Sequence, residues 1–222
     1  MRISVPRAIG LYVVWLSFIS VVLLAALGNV LPFQAAFVTP ENVFTCLIEA
    51  ELFFVLVIWP FFVPRLLVPK VELPTGVGGE AHLLVLQVCV LFVVAMPIAF
   101  LCQNLAQVGA REFFNGHLLV ATAACFVAAL FGAARERQTR MAPWYFLGFF
   151  VLSAMLPFAH YLAVEFAGGS LRFLSAVSPF WGAAQLDGAM PLVSAGIFGF
   201  GAMALFMAGP FLRKESQVAR IT

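Results

Sequence analysis

The sequence predicts an all-α, polytopic membrane protein. It has six transmembrane helices, both termini cytoplasmic, and short amphipathic outer helices between helices five and six. Three observations predict this fold. Hydrophobic residues make up 64% of the chain and charged residues 10%, with a mean hydropathy of +1.06. Soluble domains carry about 25% charged residues, so this chain cannot cover itself with a charged surface. Six apolar stretches are each long enough to cross a hydrocarbon layer as a helix of about 20 residues. The basic residues then sort to one side of the layer these stretches define. The formal net charge of +2 is too small to point to nucleic acid.

In chain order the spans are Ala8–Leu31, Val43–Val63, Ala81–Leu105, Leu118–Ala134, Trp144–Val164 and Ala189–Leu212, and residues 1–222 form one transmembrane domain. The first apolar run is longer than the core of about 7–15 residues in a cleaved signal peptide, so it reads as an uncleaved span. Arg2 and Arg7 precede span one, Arg65 and Lys70 follow span two, and Arg135, Arg137 and Arg140 follow span four. Arg213, Lys214 and Arg220 follow span six, which leaves only Arg111 and Arg172 of the 12 basic residues on the other side. Positive residues stay cytoplasmic, so both termini are expected there.

The connecting segments are short. In the inner loop Pro64–Glu80, three prolines prevent a continuous helix and Gly76, Gly78 and Gly79 permit tight turns. No cytoplasmic stretch is a Gly-rich loop ending in Lys-Ser or Lys-Thr, so the chain carries no P-loop. There is also no GxSxG, no HExxH and no CxxC motif; the four cysteines all lie in apolar runs and read as small membrane residues. The expected outer segments are Pro32–Asn42, Ala106–His117 and Glu165–Gly188. In the last, Leu171, Phe173, Leu174, Val177, Phe180 and Trp181 form an apolar face, which Pro179 and Gly182 are expected to break into two pieces. Small residues at four-residue spacing, Ala124, Ala128 and Gly132 in span four and Ala195 and Gly199 in span six, suit close helix contact in lipid.

Few residues carry chemistry. Glu49 and Glu51 are the acids nearest the bilayer interior, where a carboxyl group is costly and functional by default; they are the candidate path or gate residues, with an interfacial position as the alternative. His117, taken to open span four, and His160, near the outer end of span five, are a candidate pair of haem ligands, although helix-end histidines are more often interfacial. No metal site is read from the sequence. Asp187 precedes span six, where a negative charge favours a helix N-terminus. The Arg135/Glu136/Arg137/Arg140 cluster reads as a topology anchor.

From Ala81 to the end, the chain resembles the membrane subunit of type-2 ATP-binding-cassette exporters. The resemblance rests on six spans, a broken loop after the second, and a long amphipathic excursion before the sixth. Its texture is carried by LLVLQVCVLFVVAMPIAFLCQNLAQVGAREFFNGHLLVATAACFVAALFGAARER, by the Ser-Pro-aromatic stretch in LSAVSPFWGAAQL and by the basic ending FLRKES. The family's Arg-Glu-x-Gly-Thr motif is absent; Lys70-Val71-Glu72-Leu73-Pro74-Thr75-Gly76 occupies that region.

The resemblance implies a divergent permease in the bacterial cytoplasmic membrane that is not itself an enzyme and needs no cofactor. Its partners would be a second copy or related membrane subunit and a separate ATP-binding-cassette ATPase. That ATPase would dock on a coupling loop containing Arg65, Lys70, Glu72, Thr75 and Gly76. Pro179, Phe180 and Trp181 would belong to an outer lid or gate. The alternative is a non-catalytic integral-membrane subunit of a larger assembly, such as a respiratory or photosynthetic complex or a haem or quinone anchor.

Overall fold

A computed structural model describes residues 5–28, 38–60, 79–136, 142–167 and 177–218. The described residues are helices joined by turns, with no strand among them. In chain order the helices are α1 (Val5–Leu27), α2 (Val43–Phe53), α3 (Gly79–Ala106), α4 (Ala110–Glu136), α5 (Ala142–Phe150), α6 (Leu156–Ala167), α7 (Pro179–Ala183) and α8 (Met190–Val218). A π-helical turn, Phe54–Ile58, extends α2, and a second, Val151–Met155, joins α5 to α6. Among the described residues five helices are long and apolar enough to cross a membrane: α1, α3, α4, the α5–α6 helix and α8. The chain is therefore read as an integral membrane protein. The expected second span is described only as far as Pro60.

That segment has become the centre of the bundle. Val43, Phe44, Leu47, Ile48, Glu51, Leu52, Phe54, Val55, Leu56 and Trp59 are all buried. A helix that is apolar on every side belongs in an interior, and α2 meets α1, α3, α4 and α7. Close approach to α4 is made possible by Gly116, where an added Cβ would lie 2.9 Å from Ile48 Cγ1.

The most extensive contact joins α4 to α8. Ala124, Ala128 and Ala195 are buried; the small residues shown in the contact itself are glycines of α8, and a Cβ on Gly199 would touch Thr122 at 3.6 Å. Tighter still is Gly201, whose added Cβ would meet the Phe126 ring at 2.9 Å. The α5–α6 helix is the opposite case: only 6% of its apolar stretch is buried.

Two expectations are corrected. The segment Ala106–His117 is not an outer loop. Helix α3 ends in a left-handed residue, Gln107 (φ 52°), with Val108 N–H bonded to the Gln103 carbonyl at 3.1 Å and Gln107 N–H to that of Asn104 at 3.4 Å. This pairing is the Schellman C-terminal motif, and it reverses the chain within three residues, so α4 already begins at Ala110. His117 therefore lies two turns inside α4 and does not open it. Of the two expected breaks, Pro179 stands at the start of α7, and Gly182 does not interrupt the helix. Ser178 caps the N-terminus of α7 by accepting a hydrogen bond from the Trp181 N–H, and Pro179 takes the first helical position, where its missing N–H costs nothing. Gly182 sits within α7 and gives room for Ser194 of α8, whose Oγ would lie 3.0 Å from a Cβ there.

The α4–α8 packing makes a paired prediction. Gly201→Ala should lower stability by about 1–3 kcal/mol, the usual cost of overpacking. Gly196→Ala, on the open face of the same helix with nothing within 4 Å of the added Cβ, should be neutral or raise stability by up to about 1 kcal/mol. Thermal unfolding of the two variants in detergent measures the difference; equal melting temperatures would show that the helices are not in close contact at Gly201.

Candidate functional site

Among the described residues the buried polar side chains are Glu51, Asn115, His117, His160, Ser178 and Ser194, of which Glu51 lies on α2. Glu51 is 2% exposed, about 12 Å along the helix from Val43 at 1.5 Å per residue. The Tyr12 hydroxyl of α1 donates a hydrogen bond to its carboxyl group, and Oε1 has no protein partner. Trp15, one turn further along α1, donates its indole N–H to the Ala50 carbonyl at 3.2 Å. The Tyr12 and Phe54 rings pack at 4.8 Å and those of Trp15 and Phe53 stack at 5.9 Å. Two aromatic residues with polar tips thus bind α1 to the face of α2 that carries the acid. Glu49, two residues away, points to a different face and is half-buried.

The π-helical turns follow from two prolines. In a regular α-helix the N–H of residue 60 would bond the Leu56 carbonyl, but Pro60 has no N–H to give. The chain shifts into a π turn over Phe54–Ile58, and the Leu56 carbonyl accepts the Tyr145 hydroxyl of α5 at 2.6 Å. Pro157 stands in the same relation to Val151–Met155. Proline is tolerated in membrane helices where side chains and local π adjustments re-satisfy the freed backbone groups. Tyr145 is therefore a designed tie between the loosely packed α5 and the central helix.

At the end of the bundle where α7 lies, Asn115 of α4 donates to the Leu186 carbonyl at 3.1 Å and holds the turn between α7 and α8. Trp181 packs edge-on against His160 of α6, with ring centres 5.8 Å apart, and Phe180 against Phe149 of α5 at 6.2 Å. Through Phe180 and Trp181, α7 is the bridge between the tight bundle and the α5–α6 helix. Pro179 is buried and both aromatic residues are half-buried.

His117 is buried on α4. Its ring is enclosed by Phe44, Phe92 and Phe113, at 5.9, 6.1 and 4.3 Å. Its Nδ1 bonds the Phe113 carbonyl at 2.9 Å, which leaves Nε2 buried without a partner. The two histidines thus face different ring environments. Among the described residues no group of three or more His, Cys, Asp or Glu is placed to hold a metal ion. Outside the spans, Glu41 accepts a hydrogen bond from the Thr39 side chain, which holds its exposed carboxyl below the usual carboxylate range. Asp187 is exposed just before α8. Arg65, Lys70, Glu72, Thr75 and Gly76 lie outside the described residues, as do Arg137 and Arg140.

Comparison with protein-family models, with curated proteins and with solved structures finds no match. The residues that sequence reasoning missed are Tyr12, Trp15 and Tyr145. Their signal was present: tyrosine and tryptophan belong at membrane interfaces, and inside a span each needs a partner for its polar tip.

Two cycles of substitution test these ties. Tyr145→Phe should cost about 1–3 kcal/mol, because it leaves the buried Leu56 carbonyl without its partner. In a Pro60→Ala background, which restores an N–H to that carbonyl, the cost of Tyr145→Phe should fall to under about 1 kcal/mol. Likewise Tyr12→Phe alone should destabilise by about 1–3 kcal/mol, whereas Tyr12→Phe combined with Glu51→Met should recover most of the loss, since removing both partners of a buried pair is close to neutral. Thermal unfolding of singles and doubles gives both coupling energies, and strict additivity in either cycle would rule out that contact.

Proposed function

We propose that the chain is the permease subunit of a membrane transporter. It spans the bacterial cytoplasmic membrane six times with both termini inside and works beside a second copy or a related membrane subunit. A separate ATP-binding-cassette ATPase supplies the energy and docks on the inner loop Pro64–Glu80. The observation that carries this reading is the contrast between a tight bundle around α2 and an α5–α6 helix that is almost entirely uncovered and joined to the bundle through α7. A helix with so little cover, held by Tyr145 and by Phe180 on Phe149 towards one end and by Trp181 on His160 towards the other, suits a part that shifts against its neighbours during transport. Pro179, Phe180 and Trp181 then act at the outer gate. Glu51 serves as the clasp that keeps α1 on α2, and the path runs along the uncovered side.

ATP can drive such a change only by binding the two states with different affinity. The chain itself holds no P-loop in its sequence, which is why the ATPase must be a partner. The same uncovered helix also supports the second reading, a non-catalytic subunit of a larger membrane assembly, in which a different protein covers α5–α6.

Purification from native membranes under mild detergent separates the two. The transporter reading expects an ATPase subunit in the complex. Replacing Lys70–Gly76 with a Gly/Ser linker should release that subunit while leaving the melting temperature of the membrane subunit unchanged. A stable complex with no nucleotide-binding subunit, or with redox partners, would instead establish the second reading.

A further inference from the structure

Between α4, α5 and α8 lies an apolar cleft of about 200 Å³. Both π-helical turns reach it: Leu56 from the first, and Leu152 and Ser153 from the second. Pro179 of α7 closes one end. Single π turns are frequent at functional sites, and here two, each two residues before a proline, open from different helices onto one space. Its walls are aromatic, with Phe126, Tyr145, Phe149 and Phe198 facing inwards. The Ser153 hydroxyl is buried at its edge and has no hydrogen-bond partner. Gly148 is also part of the lining, and a Cβ added there would meet nothing within 4 Å. No close neighbour requires a glycine at that point. Inside a helix it costs roughly 0.5–1 kcal/mol relative to alanine. What its missing side chain provides is room.

We propose that this cleft is a binding site for a ring-headed lipid-phase molecule: one aromatic or quinonoid ring that bears a hydroxyl or carbonyl oxygen and carries an apolar tail. The size fits, because an apolar cavity of about 150 Å³ takes a benzene-sized ring. Aromatic walls favour offset and edge-on contact with such a ring. The Ser153 hydroxyl, which can donate or accept, turns about χ1 to meet the oxygen. Trp144, 71% exposed at the rim, marks the open side through which the tail passes into the lipid. The site belongs to the single chain and is independent of any ATPase partner.

The test uses the whole chain purified in detergent, with 4-hexylphenol as the probe and hexylbenzene as its counterpart without oxygen. Binding is followed by quenching of tryptophan fluorescence, with Trp144→Phe identifying the reporter. The expected result is saturable binding of 4-hexylphenol at least about ten-fold tighter than that of hexylbenzene, the ratio one net hydrogen bond gives. Ser153→Ala should abolish that ratio, and Gly148→Leu should abolish saturable binding of both probes. Gly148→Leu has space for its side chain and removes a helix glycine, so its melting temperature should be unchanged or higher; Gly148→Ala is the milder second variant if it is not. Unsaturable partitioning, or binding unaffected by filling the cleft at Gly148, would overturn the site. Equal affinity for the two probes would overturn the ring-oxygen recognition and leave a groove for acyl chains.

Discussion

A carboxyl group carried into the hydrocarbon must be enclosed by protein, and the fold is arranged around that demand. Glu51 sits on the helix that lies deepest in the bundle. Lipid offers no hydrogen bonds, so its partner has to come from another helix, and Tyr12 supplies it. The neighbouring tie from Trp15 to the Ala50 carbonyl fixes the same pair of helices. Gly116 then lets α4 close the other side of α2. The result is an apolar interior holding a few polar groups, tied by few but directional contacts.

The rest of the chain divides into a firm part and a loose part for a physical reason. Helices attract one another in lipid through close packing and not through a hydrophobic effect, because lipid is as apolar as the side chains. Small residues give α4 and α8 that closeness. The α5–α6 helix presents Trp144, Leu147, Phe150, Phe158 and Phe166 outwards. It is held by the Tyr145 hydroxyl and by the aromatic contacts of α7. In the proposed transporter this division separates a frame from a moving element; in the proposed ligand site it leaves a cleft at the seam.

Much of the architecture was legible in advance. The alternation of apolar runs and turn residues gave the helices, and of the small residues picked out by spacing Gly199 meets Thr122 across the α4–α8 contact. What was not legible were local reversals of simple rules. Ala106–His117 looked like a loop because it is polar and contains Gly109, yet Gln107 in the left-handed region makes a three-residue turn that no periodicity reveals. Gly182 looked like a second break after Pro179; it lies inside the short helix that Ser178 and Pro179 begin. The candidate site was half visible: Glu51 stood out by its charge, whereas its partner Tyr12 was one aromatic residue among many in span one.

The sequence alone determined that this protein lives in a membrane as a set of apolar helices, because 10% charged residues cannot make a water-facing surface and lipid permits only backbones that satisfy their own hydrogen bonds. Only the tertiary structure decided which helix lies at the centre, which glycines mark contact and which mark space, and which hydroxyls meet the Leu56 carbonyl and the Glu51 carboxyl group. Those choices depend on groups brought together from distant positions, such as Tyr145 and Leu56, 89 residues apart. Periodicity reads the face of one helix; it carries no information about the partner across from it.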